Sequence, residues 1–322
     1  MGARIMKLLS IGLIVLLGAG ISFAQTAQVV LTGGAPNPSL KTLIEGNTAA
    51  LLNELEAKGH TGKSLAKIRE VSSEAFSSLE QLWASDPFFP LDIEVYGNLL
   101  KTPAGFQLRG IQVQLTKGKA TEELVISYDL KGAVSDVRFA ISQHQYTAVM
   151  GSGADVKDFR RRQYVLDFVE NYRTAYNRKD IPFIQKVFSD NALIIVGKVL
   201  KDVPNSEGTS MGLDTKKVSL VTYNKKQYMS QLQSTFKKNQ VVKVGFDSIS
   251  VQQHPNSQKD EWYGVTLKQV WNSTAYSDTG YVFLLIDFTK ETEPTIWVRA
   301  WQPGKETRPA EVLSLGDFEI VE

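Results

Sequence analysis

The stretch from Tyr164 to Val196 constrains the fold of this chain more than any other part of the sequence. Its first half carries apolar residues at spacings of three and four, which predicts one buried face of a helix. These residues are Tyr164, Val165, Phe168, Val169, Tyr172, Ala175 and Tyr176. Asp180 predicts the cap of a second, shorter helix with Pro182 in its first turn. A turn at 189–191 and a strand at 193–196 are expected to follow.

The order of long helix, elbow, short helix and strand resembles the opening of an NTF2-like (SnoaL-like) domain. The resemblance rests on the elbow at 177–180 and on residues 188–192 before the strand, and it covers residues 164–303. It implies a bent antiparallel sheet that curls round the long helix and forms a cone with a pocket. The family contains isomerases, dehydratases and protein-binding modules, so the resemblance predicts a fold and leaves the activity open.

The N-terminus has the pattern of a secretory signal peptide. Arg4 and Lys7 precede an apolar run from Leu8 to Phe23, and small residues stand at the two positions before a cleavage site after Ala24. The alternative, an uncleaved membrane anchor, is disfavoured because the run is short for a bilayer-spanning helix. We therefore expect residues 1–24 to be removed and the protein to be exported, either to the periplasm or to the cell surface or medium.

Charge and cysteine content exclude several classes of function. Without Arg4 and Lys7 the mature chain carries as many basic as acidic residues, which argues against a nucleic-acid-binding protein. The chain has 0 cysteines, so disulfides, thiolate catalysis and cysteine-ligated metals are excluded. No second stretch is apolar enough to span a membrane.

The remainder of the N-terminal half predicts an α+β domain at residues 39–150, after an extended leader at 25–38. Helices are expected at 39–58 and 64–84, followed by four β-type segments. The apolar alternation changes parity at Arg109-Gly110, which predicts a β-bulge. The domain either is a diverged copy of the C-terminal one or is unrelated to it. Residues 151–163, with Gly-Ser-Gly, are the expected linker.

The C-terminal domain, 164–303, continues with a polar loop at 201–215, then a helix and four strands. Asn224 and Gln227 have the spacing of a capping box for the helix at 224–238. The strands are expected at 241–251, 261–271, 280–288 and 295–301. The tail, 304–322, either adds a last strand or docks on a neighbouring domain. The fold class is α+β, with two domains that each pack helices on a curved antiparallel sheet, the C-terminal one being the NTF2-like cone.

The best candidate site lies on the C-terminal strands. A period of two places Trp297, Arg299 and Trp301 on one face, and Asp287 is expected to form an ion pair with Arg299. Such a pocket, floored by aromatic rings, would orient a polar ligand. The candidate ligand-binding residues are Tyr172, Tyr176, Trp262, Trp271, Tyr281, Asp287, Trp297, Arg299 and Trp301. Alternatively the ion pair is structural and the tryptophans complete the core.

The sequence carries no complete catalytic constellation. Its 3 histidines lack metal-ligand spacing, and neither a nucleophile elbow nor a phosphate-binding loop is present, so no metal or cofactor is expected. We therefore expect an exported, non-catalytic binding or scaffold protein for a small ligand, a glycan or an envelope protein. The alternative is a SnoaL-like isomerase or dehydratase with Asp287 as general base. The resemblance also allows a homodimer formed through the NTF2-like sheet.

Overall fold

The computed structural model describes residues 26–117, 119–151, 159–199, 218–255, 261–305 and 307–318. The predicted signal segment 1–24 and the predicted loop 201–215 lie outside the described residues. Within the described ranges, no helix is both long enough and apolar enough to cross a bilayer.

Two helices and seven strands form the N-terminal unit, residues 26–139. The helices are α1 (Pro38–Gly59) and α2 (Ser73–Ser85). The strands are β1 (Gln28–Gly33), β2 (Phe88–Pro90), β3 (Glu94–Asn98), β4 (Leu100–Thr102), β5 (Gly105–Leu115), β6 (Thr121–Asp129) and β7 (Val134–Phe139). The main sheet runs β2-β5-β6-β7 and is antiparallel, with β4 beside β5, while β1 and β3 form a separate parallel pair.

The predicted extended leader is in fact part of this unit. Strand β1 pairs with β3, and the amide of Leu31 donates to the side chain of Glu45 on α1 at 2.7 Å. Sequence could not show this, because the partners of β1 lie on elements distant in the chain. Helix α2 begins at Ser73 and not at 64, since the Ser72 hydroxyl accepts the amide of Ala75 at 3.0 Å and caps the helix there.

The predicted bulge is confirmed. The register between β5 and β6 shifts between Leu108 and Ile111, and Gly110 has a φ of 88°. A positive φ is readily adopted only by glycine, which explains why the parity change coincides with this residue.

In the described residues between 141 and 318, four helices and six strands form the C-terminal unit. The helices are α3 (Gln143–Gly151), α4 (Phe159–Arg178), α5 (Ile181–Val187) and α6 (Lys225–Lys238). The strands are β8 (Phe188–Val199), β9 (Val218–Tyr223), β10 (Val242–Gln253), β11 (Trp262–Ser273), β12 (Ser277–Asp287) and β13 (Thr295–Pro303). The sheet order is β10-β11-β12-β13-β8-β9, antiparallel except for the parallel pair β13 and β8.

Local capping signals were predicted correctly here. The Asp180 carboxylate accepts the amide of Phe183 at 3.0 Å, and Asn224 and Gln227 form the expected capping box. The turn predicted at 189–191 is wrong, because β8 already begins at Phe188. Helix α3 and strand β9 were not predicted, and α4 begins inside the predicted linker.

Helix α4 lies between the two units and is buried on opposite sides. Phe168, Tyr172 and Tyr176 pack into the core inside the curled sheet, while Glu170 and Arg173 face the N-terminal unit. Helix α3 contributes Val149 and Met150 to the same C-terminal core, so residues assigned by sequence to the N-terminal domain pack with the other unit.

The described part of the tail, 307–318, forms two short 3-10 turns at Pro309–Glu311 and Leu315–Asp317. Its Leu315 and Phe318 pack on the outer face of the sheet, with the Phe318 ring 5.0 Å from that of Phe283. Of the two expectations for the tail, the strand is therefore wrong for the described residues and the tail docks on a sheet.

Candidate functional site

The interior of the curled sheet holds a chain of hydrogen-bonded tyrosines that ends on an arginine. The hydroxyls of Tyr172 and Tyr176 lie 2.9 Å apart, and those of Tyr176 and Tyr228 lie 2.6 Å apart. Arg299 donates from Nε to the Tyr172 hydroxyl at 3.2 Å, and its guanidinium lies 5.2 Å from the centre of the Tyr228 ring. These groups satisfy one another and fill the space between α4, α6 and β13.

The electrostatics of this cluster differ from those of an acid–base pair. Burial raises the pKa of Tyr172 and of Tyr176, so both hydroxyls are neutral at neutral pH. Arg299 is 5% exposed. In the part of the chain that the structure describes, no carboxylate lies within 4.0 Å of its guanidinium. Its charge is instead stabilised by the Tyr172 oxygen and by a cation–π contact.

The predicted ion pair between Asp287 and Arg299 is not formed. The register of β12 and β13 pairs Leu284 with Arg299 and Asp287 with Thr295. Because side chains alternate along a strand, Leu284 and Arg299 face the interior while Asp287 faces outward. The Asp287 carboxylate accepts the amide of Thr289 at 2.8 Å, so it stabilises the end of the strand.

The expectation that Trp297 shares a face with Arg299 and Trp301 is also wrong. The register shifts between Ile296 and Val298, so Trp297 is an extra residue on β13 and reverses the alternation. Its ring lies 5.4 Å from that of Trp262, in the cluster on the outer face. Because this bulge contains no glycine, it could not be recognised in the sequence, and simple alternation of side chains assigned Trp297 to the wrong face.

The structure thus divides the predicted site residues into two groups. Tyr172, Tyr176, Trp271, Arg299 and Trp301 belong to or pack against the interior core. Tyr281, Asp287, Trp262 and Trp297 belong to the other side of the sheet or to its edge. Sequence reasoning did not identify Tyr228, whose hydroxyl lies 2.6 Å from that of Tyr176, as a member of this cluster.

A cavity of about 640 Å³ opens where the β11–β12 hairpin meets the C-terminal end of β13, and we call it the hairpin cavity. Its lining residues are Lys268, Val270, Asn272, Ser277, Asp278, Thr279, Tyr281, Trp301, Pro303, Gly304 and Lys305. The β-ladder explains why they meet: Lys268 lies opposite Tyr281, and Asn272 lies opposite Ser277, on one face of the hairpin. Of the residues predicted for the site, Tyr281 and Trp301 line this cavity.

Polar side chains of the hairpin cavity lack partners within the described ranges. The indole N–H of Trp301 is buried without an acceptor, and no side-chain hydrogen bond or ion pair is found for Lys268, Asn272 or Tyr281. Burial raises the pKa of the half-buried Asp278, against the opposing charge of Arg299. Unused donors and acceptors at a concave surface are suited to bind a polar ligand.

A second cavity, of about 530 Å³, lies between the two units over α4, and we call it the interunit cavity. The two arginines that line it are already paired with carboxylates. Asp167 binds Arg138 at 3.2 Å, and Asp136 lies 3.3 Å from Arg138 and 3.4 Å from Arg178. Below it, Glu170 is 0% exposed and accepts from Arg109 at 2.5 Å and from the amide of Ile141 at 3.0 Å. These contacts join the units.

The described residues contain no group of histidine, aspartate and glutamate side chains arranged to hold a metal ion. The arrangement at the hairpin cavity offers hydrogen bonds, two aromatic rings and three charged side chains, and it therefore supports binding more directly than bond-making chemistry.

Comparison with known proteins gives similarity in structure alone. No protein-family model and no curated protein matches this sequence. A Bdellovibrio bacteriovorus structure matches 63% of this chain and 78% of its own at 15% identity, with a TM-score of 0.34. An NTF2-like protein of unknown function from Pseudomonas aeruginosa matches 44% of this chain and 98% of its own at 7% identity, with a TM-score of 0.32.

A third structure, a putative scytalone dehydratase from Novosphingobium aromaticivorans, matches 44% of this chain and 82% of its own at 10% identity, with a TM-score of 0.31. The NTF2-like neighbours match the C-terminal half, the region for which the sequence predicted that resemblance. Sequence identities and TM-scores this low give no information about the ligand or the reaction of this chain.

Proposed function

We propose that this protein is a non-catalytic binding protein that holds a small, hydroxyl-rich ligand, such as a glycan, in the hairpin cavity. One observation carries the proposal: the side chains of Lys268, Asn272 and Tyr281 and the indole N–H of Trp301 line the cavity and form no hydrogen bond or ion pair within the described residues. A polar group that is partly removed from water without a partner raises the free energy of the folded state. A ligand that supplies the missing hydrogen bonds lowers it.

The aromatic residues favour a ligand with a ring face. Tyr281 is half-buried at the cavity, directly opposite Lys268 on the neighbouring strand, and Trp301 lines the same space. An aromatic ring provides a large, rigid contact surface at low cost in conformational entropy. A sugar ring, with C–H groups on its faces and hydroxyls on its rim, would contact both the ring and the polar side chains.

Export is part of the proposal, and it is supported by the sequence pattern of residues 1–24. An exported protein would meet glycans, envelope proteins and small molecules outside the cytoplasm. Fractionation of cells that produce the full-length chain tests this part separately. Recovery of a shortened chain from the periplasm, surface or medium supports it, whereas an intact chain in the cytoplasm contradicts it.

A second function, proton abstraction from the bound ligand, is favoured by a specific observation at Asp278. Burial raises the pKa of this carboxyl, and it lines the cavity, which are properties of a general base. In this role Asp278 replaces Asp287, which lies at a strand end bound to a backbone amide. Exchange of ligand protons with deuterated water, lost in Asp278→Asn, would favour an isomerase or dehydratase over a binding protein.

The binding function is tested by thermal unfolding of the protein with a panel of oligosaccharides and small polar metabolites. A ligand of the native state raises the midpoint in proportion to RT ln(1 + [L]/Kd). We expect at least one ligand to raise it, and Tyr281→Ala to abolish that increase because the ring contact is lost.

Tyr276→Ala is the matched control for this experiment. Tyr276 lies on the same hairpin and is 48% exposed, but it stacks on Trp271 and does not line the cavity. It should keep the ligand response. A panel without any response, or an equal loss in both variants, would contradict a ligand site at the hairpin cavity.

A further inference from the structure

We propose that the ligand of the hairpin cavity is an acidic carbohydrate whose carboxylate binds between Lys268 and Lys305. This inference rests on the proposed binding function and adds the chemical class of the ligand. It comes from the three charged side chains at the cavity, Lys268, Lys305 and Asp278, and from their positions on the hairpin.

The two lysines have no carboxylate partner within the described residues. Two other lysines of the C-terminal unit are paired with carboxylates: Lys225 lies 2.8 Å from Asp190, and Lys186 lies 3.2 Å from Glu293. Lys268 is half-buried at the cavity and has no counter-ion within the described residues. A negative group in the ligand would supply that counter-ion.

The single carboxylate at the cavity selects for hydroxyls. Asp278 is half-buried and has no hydrogen-bond donor among the described residues. A carboxylate accepts hydrogen bonds from hydroxyls and repels an anionic group placed beside it, so its presence argues against phosphate or another compact anion. Asp278 lies opposite Trp271 on the hairpin, so its side chain is on the other face of the sheet from Lys268. A ligand with both hydroxyls and a carboxylate, such as a uronic acid, therefore has its carboxylate at Lys268 and away from Asp278.

The ladder of the hairpin sets these groups in line. Lys268 pairs with Tyr281, Val270 with Thr279, and Asn272 with Ser277. Residues directly opposite each other lie about 5 Å apart, and four residues along a strand span about 14 Å. The charged group and the aromatic ring therefore stand at one end of a strip of neutral hydrogen-bonding side chains. An oligosaccharide longer than one ring fits this shape better than a free sugar does.

The test compares two probes with the same sugar backbone, the charged tetragalacturonic acid and its neutral, fully methyl-esterified form. Binding is measured by calorimetry at low ionic strength with the wild type, Lys268→Met, the double variant Lys268→Met with Lys305→Met, and Tyr281→Ala. We expect the wild type to bind the acid about tenfold tighter than the ester. Each lysine should contribute about threefold, and added salt should reduce the preference.

The variants distinguish the effect of the lysine charges on the preference for the acid from the effect of the Tyr281 ring on the binding of either probe. The double variant should bind the two probes equally, and Tyr281→Ala should weaken both. Lys290→Met is the matched control, because Lys290 is exposed and lines the interunit cavity, and it should retain the full preference. Unchanged unfolding midpoints establish that the variants are folded.

Two outcomes overturn the inference, and they are distinguishable. Equal affinity of the wild type for both probes, lost in Tyr281→Ala, removes the acidic class and leaves the binding function standing. Binding of neither probe, while a different ligand of the panel responds in a Tyr281-dependent way, also removes the acidic carbohydrate. If no ligand at all responds, the proposed function itself fails.

Discussion

The hairpin cavity and the interunit cavity use the same kinds of side chain in opposite ways. In the interunit cavity, arginines and carboxylates bind one another, as Arg138 does with Asp167 at 3.2 Å. In the hairpin cavity, Lys268 and Asn272 have no such partner among the described residues. The difference teaches that charged lining alone does not identify a binding site. A charged side chain indicates a binding site only if no other group of the protein is already paired with it.

The physical reason lies in where each cavity sits. Packing of α4 against the N-terminal sheet buries Glu170 and Arg138 to 0% and 2% exposure, and buried charges must be paired. The hairpin cavity is at the end of a sheet, where water can solvate free groups until a ligand arrives. The following five predictions test this contrast, from the largest expected effect to the smallest.

Glu170→Ala should destabilise the protein by about 3–5 kcal/mol, because it leaves the buried guanidiniums of Arg109 and Arg138 without their shared carboxylate. The free energy of unfolding from urea titration measures the effect. Glu293→Ala is the control within the same cavity wall: its pair with Lys186 is exposed and should contribute less than about 1 kcal/mol. Similar losses for both variants would show that the buried network does not join the units.

Lowering the pH should reduce the free energy of unfolding of the wild type more than that of the Glu170→Gln variant. Burial by itself would raise the pKa of Glu170, but the charge and hydrogen bonds of Arg109, then Arg138 and the Ile141 amide, hold it below its usual value of 4.5. A lowered pKa in the folded state gives stability that is present above the unfolded value and lost as pH falls through the folded one. Unfolding free energies measured over roughly pH 6 to 3 should therefore fall less steeply in the variant.

Protonation of Asp167 has the opposite effect on stability from protonation of Glu170, so the two contributions must be measured with separate variants. Burial raises the pKa of its carboxyl despite the charge of Arg138, so its protonation on acidification favours the folded state. Asp167→Asn should make the acid-induced loss of stability steeper than in the wild type. If stability depends on pH in the same way in Glu170→Gln and in Asp167→Asn, the pH dependence does not come from this network.

Arg299→Met should change the free energy of unfolding by only about 1 kcal/mol. Unlike Arg138, Arg299 has no carboxylate partner within the described ranges, so its removal leaves no buried charge uncompensated. The Tyr172 hydroxyl keeps its hydrogen bond to Tyr176 at 2.9 Å. Urea titration of this variant beside Arg138→Met gives the comparison. A loss as large as that of Arg138→Met would indicate that Arg299 is paired in solution.

Lys268→Met and Asn272→Ala should each change stability by less than about 0.5 kcal/mol, since neither side chain has a partner to lose. Thermal unfolding without ligand measures this. The same variants should differ from the wild type once a ligand is present. A marked loss of stability without ligand would mean that these side chains serve the fold, and it would contradict the contrast between the cavities.

Local signals in the sequence predicted their elements well. The capping box at Asn224 and Gln227, the cap at Asp180 and the bulge at Gly110 are all present, because each depends on residues within one turn or on one glycine. The start of α2 was misplaced, since the apolar residues before Ser72, such as Leu65, are buried without being helical. Apolar spacing records burial and does not by itself specify the backbone.

The candidate site was predicted only in part. Tyr281, Trp301 and the buried aromatic residues of α4 were identified from their spacing. The partnership of Asp287 with Arg299 was wrong because one extra residue, Trp297, changes which side chains share a face. Lys268 and Asn272 were not identified, since an unpaired polar residue on a strand looks like any solvated one until its neighbours are known.

The sequence by itself determined the helix face at 164–176, the caps, the parity change at Gly110 and the positions of the last four strands along the chain. These depend on contacts close in the chain, which leave a period or a cap in the residues themselves. Only the tertiary structure decided that β1 joins β3, that α4 is buried between two units, and which charges are paired. Each of these depends on which distant surfaces of the chain come into contact. The sequence shows that a residue is lysine, but it does not show whether that lysine has an ion-pair partner.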